Sequence, residues 1–313
     1  MTGVSAGGPP PGPVPAQSCA RCRPNHYTAP DPPSIGSKLH IVDVPYGWTY
    51  AVLCLVQGVL IAASWPRPLR LGRSRLVGIG VPVVVFFIGL GATRGGDWAT
   101  RAVSDLATFG TPVAAAAVGL VWGWRLPWAY AIAAPLAFLV AWRADGLVAD
   151  TASVALIAAA CLTLAALIAT FTPPWALAAG LVPLAIVDTI LVFADQVRPG
   201  TEALHVVVPP ALGGTPLPAL QDATLGHALF GWLDILAPAL GATLLTGFTP
   251  PRLVAAILTA VTALALGLVL AKTQEVPGTT PALVAVIVWG LVARRGPPRA
   301  TPAMWTARST GPR

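Results

Sequence analysis

The amino-acid sequence predicts an all-α, polytopic membrane protein with nine transmembrane helices, and three observations carry that expectation. Of 313 residues, 55% are hydrophobic and 10% are charged, where soluble proteins carry roughly 25% charged residues. The apolar residues gather into nine long runs without the alternating pattern of a membrane barrel, and a backbone crossing lipid as an open chain satisfies its own hydrogen bonds only as a helix. The basic residues fall in short clusters between those runs, as they do in a chain that obeys an orientation rule. An ordinary cytosolic enzyme is excluded by this composition. The net charge of +7 needs no nucleic acid to explain it, because it does not form one basic face.

The first element is a Pro- and Gly-rich stretch, residues 1–44, with Pro9, Pro10, Pro11, Pro13 and Pro15. It holds no apolar run long enough for a signal-peptide core and reads as a disordered tail. Cys19 and Cys22 form a C-x-x-C with His26 nearby, but no second ligand pair follows at a useful spacing, so no metal site is expected. The other two cysteines, Cys54 and Cys161, lie inside apolar runs and read as small buried hydrophobes.

The nine runs span 46–65, 76–93, 106–124, 127–142, 151–172, 175–194, 224–247, 253–271 and 281–293. Most reach across a bilayer core of about 30 Å at about 1.5 Å per residue; the fourth and ninth are short. Runs one to five make up residues 45–174, runs six to nine residues 175–293, and a basic tail fills 294–313. Trp124, Trp128, Trp142 and Trp175 sit at run ends, where an aromatic belt belongs. Arg67, Arg70, Arg73 and Arg75 follow the first run, and Arg294, Arg295 and Arg299 follow the ninth. Nine crossings put both clusters on one side, so the expectation is an outer N-terminus and a cytoplasmic C-terminus in a multi-pass cell-membrane protein.

Within the nine runs there are only two acidic residues, Asp188 and Asp234, and no Lys or Arg. A lone carboxyl at the membrane centre costs about 2.5 to 3.5 kcal/mol on insertion scales, so such a residue faces the bundle interior and marks a functional site. Counting from the run ends at Asp195 and Thr224 puts Asp188 about 10 Å and Asp234 about 15 Å deep from the same face. Consecutive antiparallel spans commonly pack together, so an acid pair is permitted. Two carboxyls in contact share one proton. One can then deprotonate an attacking water while the other protonates a developing oxyanion, which is aspartyl protease chemistry and needs no metal or organic cofactor. Pro238 sits four residues after Asp234 and lacks the N–H that would bond the Asp234 carbonyl, so the helix loosens there. His227 falls in the same run and reads as a structural histidine near the interface.

These residues resemble the presenilin and signal peptide peptidase family of intramembrane aspartyl proteases. The sixth run reads Val187-Asp188-Thr189-Ile190-Leu191-Val192-Phe193, the seventh Gly231-Trp232-Leu233-Asp234, and Pro281-Ala282-Leu283 opens the ninth. In the family these places hold Tyr-Asp, Gly-x-Gly-Asp and Pro-Ala-Leu. Asp234-Ile235 followed by Pro238 is similar to the peptidase branch, as is the segment Ala203-Leu204-His205-Val206-Val207-Val208-Pro209, which resembles that branch's loop strand. The resemblance covers residues 175–293. It implies a presenilin-like bundle, Asp188 and Asp234 as catalytic dyad, and Gly231, Pro281, Ala282 and Leu283 as substrate-binding residues. Its implied partners are transmembrane-helix proteins or peptides, type II in orientation, and the lipid bilayer, with no obligatory accessory subunit. Val187 replaces the family tyrosine and Leu233 the glycine before the second aspartate, and leucine adds bulk where the family keeps the backbone bare. Two other readings of the same residues stay open. A proton-coupled transporter or channel also needs paired intramembrane acids and a broken helix, and a non-catalytic relative would bind membrane helices without cutting them.

Overall fold

The structure is a computed structural model that describes residues 47–63, 96–121, 127–194, 210–212, 215–270 and 276–294. The chain divides between Asp43 and Val44, and everything described belongs to the second unit. The N-terminal tail with Cys19, Cys22 and His26, the second apolar run, the arginines at 67–75, the segment 203–209 and the tail beyond Arg294 lie outside the described residues.

Eight α-helices are described: α1 Trp48–Ala62, α2 Gly96–Val121, α3 Pro127–Arg143, α4 Leu147–Phe171, α5 Pro174–Phe193, α6 Trp232–Leu244, α7 Thr249–Val269 and α8 Leu283–Arg294. Four of them, from Trp98, Leu147, Pro174 and Thr249 onward, are long and apolar enough to cross a membrane; α1, α3, α6 and α8 are shorter apolar helices. The distribution of side chains suits a lipid surround. Leu106, Phe109, Val113 and Leu120 are exposed on α2, while Thr100, Ser104, Thr108 and Thr111 are buried on its other face. Apolar side chains outward and hydroxyls inward reverse the usual soluble pattern.

Prolines and glycines set the connections. Thr172 closes α4 by donating to the Ile168 carbonyl at 2.9 Å, and Pro173 precedes α5, whose first residue is Pro174, a position where the missing N–H costs nothing. Gly146 (φ 63°) precedes α4 and Gly247 (φ 87°) separates α6 from α7; both need the left-handed backbone that glycine adopts freely.

The seventh apolar run corrects the all-helical expectation. Residues 222–231 form an antiparallel hairpin, because Gly226 and His227 make a two-residue turn with Gly226 at φ 60°, the turn chemistry that closes hairpins. A second, minimal hairpin pairs β1 (Ala211–Leu212) with β2 (Thr215–Pro216). In the larger one, β3 is Asp222–Leu225 and β4 is Ala228–Gly231. Along β4 Ala228 is buried, Leu229 exposed and Phe230 buried, a period of two that a helix does not bury on one side. Phe230 packs edge-on against Tyr50 of α1 with ring centroids 5.5 Å apart, and the Gly226 N–H donates to the Asp150 carboxylate at 2.8 Å. His227 is therefore an exposed turn residue, not a helical neighbour of Asp234.

The core runs through α4, the most enclosed of the long helices, with Leu53, Ile157, Ala160, Leu220 and Ile235 fully buried. Cys54 and Cys161 are buried free thiols in that core, as their apolar surroundings lead one to expect. Small residues let helices approach closely. Tyr50 lies across Gly267 of α7 and donates to the Ala263 carbonyl at 3.0 Å. Further along α1, a Cβ on Gly58 would stand 2.8 Å from the Ala256 carbonyl oxygen, a backbone atom with no freedom to move aside. Gly58→Val is therefore expected to destabilise the fold by about 1 to 3 kcal/mol through overpacking. Gly290→Ala, inside α8 where nothing lies within 4 Å, is expected to keep or raise the thermal midpoint in detergent, because alanine is the better helix former.

Candidate functional site around the acid pair

Asp188 lies on α5 five residues before its last residue, and Asp234 is the third residue of α6. The second position differs from the depth of about 15 Å counted from the apolar run, since the first part of that run is hairpin and helix begins only at Trp232. At about 1.5 Å per residue the two acids stand about 7.5 Å and about 3 Å from adjoining helix ends. Both values are smaller than the run ends imply. Both carboxyls lie against neighbouring residues of one short segment, Asp234 against Gly278 and Asp188 against Thr279, and both are half-buried.

Each carboxyl has its own hydrogen-bond donors. Asp234 Oδ2 accepts from the Gly231 N–H at 2.8 Å, so this acid reaches back to the residue preceding its helix, as an N3 carboxylate does in a capping box. Its negative end also faces the positive end of the helix dipole. Asp188 Oδ2 accepts two hydrogen bonds from Thr279, one from Oγ1 at 2.6 Å and one from the backbone N–H at 3.2 Å. Next along the chain, Thr280 Oγ1 pairs with Thr189 Oγ1 at 2.9 Å. Residues 278–280 thus lie against both acids, and Gly278 makes this approach possible. A Cβ there would overlap the Asp234 carboxyl group and stand 2.5 Å from either of its oxygens.

α6 runs as continuous helix through Pro238, and the carbonyl that the proline leaves without its helical donor is not left empty. Gln57 of α1 is fully buried, and its Nε2 donates to the Asp234 carbonyl at 2.9 Å and to the Gly278 carbonyl at 3.0 Å. The first of these is the carbonyl that Pro238 cannot bond.

Of the remaining site candidates, one touches the pair and three follow the segment 278–280 in the chain. Gly231 gives its N–H to Asp234. Pro281 and Ala282 form a buried 3-10 turn from Thr280 to Ala282, held by a hydrogen bond from Thr259 Oγ1 to the Pro281 carbonyl at 3.3 Å. Leu283 begins α8 and is half-buried. Leu233, the bulky residue before the second acid, packs against the main core. Among the described residues no group of three or more His, Cys, Asp or Glu side chains is arranged to hold a metal ion. Sequence reading does not single out Gln57 or Thr279. A signal exists for Gln57, an amide in an otherwise apolar run, because a buried amide must find partners.

No protein-family model matches this chain, and no curated protein matches it either.

Removing the Thr279 hydroxyl with little change of shape tests the geometry directly. Thr279→Val is expected to lower stability by about 1 to 3 kcal/mol, the cost of leaving a buried acceptor short of a donor. Thr279→Ser, which keeps the hydroxyl, is expected to retain most of the thermal midpoint in detergent.

Proposed function

We propose that this chain is an intramembrane aspartyl protease of the presenilin and signal peptide peptidase type, with Asp188 and Asp234 as its dyad. The observation that supports it most is that carboxyls from two separate apolar helices lie against one short segment, Gly278–Thr279, where α-helix gives way to a hairpin before α6 and a 3-10 turn before α8. Non-helical backbone at membrane depth is tolerated only where protein or a water-filled cavity surrounds it, and hydrolysis needs that water.

One carboxylate of the pair accepts a proton from water as its oxygen attacks the scissile carbonyl carbon. The protonated partner donates to the carbonyl oxygen, giving a neutral gem-diol. When the carbon–nitrogen bond breaks, the carboxyl that holds the proton gives it to the leaving nitrogen while the other carboxylate takes one from a gem-diol hydroxyl, so a carboxylic acid and an amine leave and the pair again shares one proton. The substrate class is the transmembrane helix of a membrane protein or a signal peptide, opened locally so that its peptide bond reaches the dyad. Nine crossings with the N-terminus outside and the C-terminus in the cytoplasm, in the cell membrane, fit the arginine clusters and favour type II substrates. Gly231 and the Pro281-Ala282-Leu283 turn, adjoining the acids, are the proposed substrate contacts, and no accessory subunit is invoked.

The test is cleavage of a panel of type II single-span peptides in detergent by wild type, Asp188→Asn and Asp234→Asn. Wild type is expected to cut, and each Asn variant to lose at least about 10²-fold in kcat, the contribution of one general acid or base. Cleavage persisting in either variant removes the dyad. A folded wild type that neither cleaves nor binds a transition-state mimic of a hydrated peptide removes the protease reading, and proton-dependent solute uptake lost in Asp188→Asn is then the measurement that favours a proton relay.

A further inference from the structure

We infer that Gln57 is a positioning residue of the acid pair: its carboxamide stands in for the N–H that Pro238 lacks and ties the first turn of α6 to the segment that holds Asp188. The activity arm of this inference rests on the proteolytic reading, while the structural arm does not.

The argument begins with the helix ladder. The carbonyl of Asp234 is due a hydrogen bond from the residue four positions on, and that residue is Pro238, which has no N–H. A bare carbonyl in an apolar interior is costly to leave without a donor. Gln57 reaches it from a different helix, at 2.9 Å. Both acceptors around the side chain, Asp234 O and Gly278 O, are carbonyl oxygens, so the NH₂ group has to face them and the amide orientation follows from the chemistry. A Gln fully enclosed in an apolar bundle is costly unless those bonds are made. Its Oε1 finds no partner among the described residues, so the side chain is retained for its donors.

The two hydrogen bonds end on different halves of the site. One acceptor belongs to Asp234 itself. The other is Gly278, whose Cα lies against the Asp234 carboxyl and whose neighbour Thr279 donates twice to Asp188. Gln57 therefore sets how far the Asp234 turn stands from the residue beside Asp188's donor. Altering it shifts one acid relative to the other without touching either carboxyl group. α1 lies outside the region that carries the two acids, so this couples the first described helix to the candidate dyad.

The test is a double-mutant cycle between Gln57→Met, which keeps nearly the same volume and removes both donors, and Pro238→Ala, which gives α6 its own N–H for the Asp234 carbonyl. Thermal unfolding in detergent and peptide cleavage are read for all four proteins. With Pro238 present, Gln57→Met is expected to lower the unfolding midpoint and reduce kcat about tenfold, the combined effect of two lost hydrogen bonds, with KM within about twofold. In the Pro238→Ala background, the loss in both measurements is expected to shrink by about half, since only the hydrogen bond to Gly278 is then missing. Equal losses in the two backgrounds overturn the inference, as does a KM change with kcat intact. If wild type cleaves nothing, the proteolytic reading fails, and the unfolding cycle still decides whether Gln57 replaces the proline's missing donor.

Discussion

A carboxyl carried into an apolar helix bundle has to be met by donors, and in this protein the short segment Gly278–Thr280 is where the requirement is satisfied. Thr279 gives Asp188 both its hydroxyl and its N–H. Gly278 presents bare backbone to Asp234, whose own donor is the N–H of Gly231. Because the acids come from α5 and α6 and the segment precedes α8, three elements far apart in sequence are fixed relative to one another by a few polar contacts. In an apolar surround those contacts have little competition from water, so they weigh more in deciding the arrangement than their number suggests.

For so short a segment to reach the acids, the helices behind it must be closely spaced. Gly241 of α6 faces Ala285 of α8 where a Cβ would stand 2.8 Å from the alanine methyl. Gly58 of α1 faces Ala256 of α7 at an equally short separation, one residue from Gln57. These approaches hold α1, α6, α7 and α8 together without an interhelical hydrophobic force, which a lipid surround does not provide. Thr259 on α7 then fixes the turn at Pro281, so the approach of segment 278–280 is determined on both flanks.

Much of this is legible in the sequence wherever hydropathy alone decides. The sixth run, 175–194, corresponds to α5 within one residue at each end, and the two acids stand out because nothing else in the runs carries a negative charge. The hairpin is not legible by hydropathy. The stretch from Thr224 to Gly231 is as apolar as a helix, and the distinguishing signal is local: Gly226 in a two-residue turn and the in-out alternation of Ala228, Leu229 and Phe230. Thr279 is invisible for a different reason, since a threonine outside the apolar runs acquires meaning only when folding brings it to Asp188, ninety-one residues earlier in the chain. Pro238 announces a missing donor in the sequence, but the group that replaces it lies 177 residues from the carbonyl it serves.

The leucine at position 233 looks disabling in the sequence, because it stands where a bare backbone is wanted beside an acid. The packing gives a different account of where the bare backbone is. Leu233 turns into the core beside Trp232, and the glycine that lies against the Asp234 carboxyl is Gly278, which enters from the far side of the site. A residue preceding an acid on a helix points about 100° away from it at 3.6 residues per turn, so its bulk is borne by whatever packs on that neighbouring face. Here that face is apolar, and Leu233 packs half-buried against the main core. The close approach that a glycine would allow from within α6 is provided from outside it, and on the proteolytic reading this leaves the Asp234 carboxyl bounded by backbone rather than by a leucine side chain.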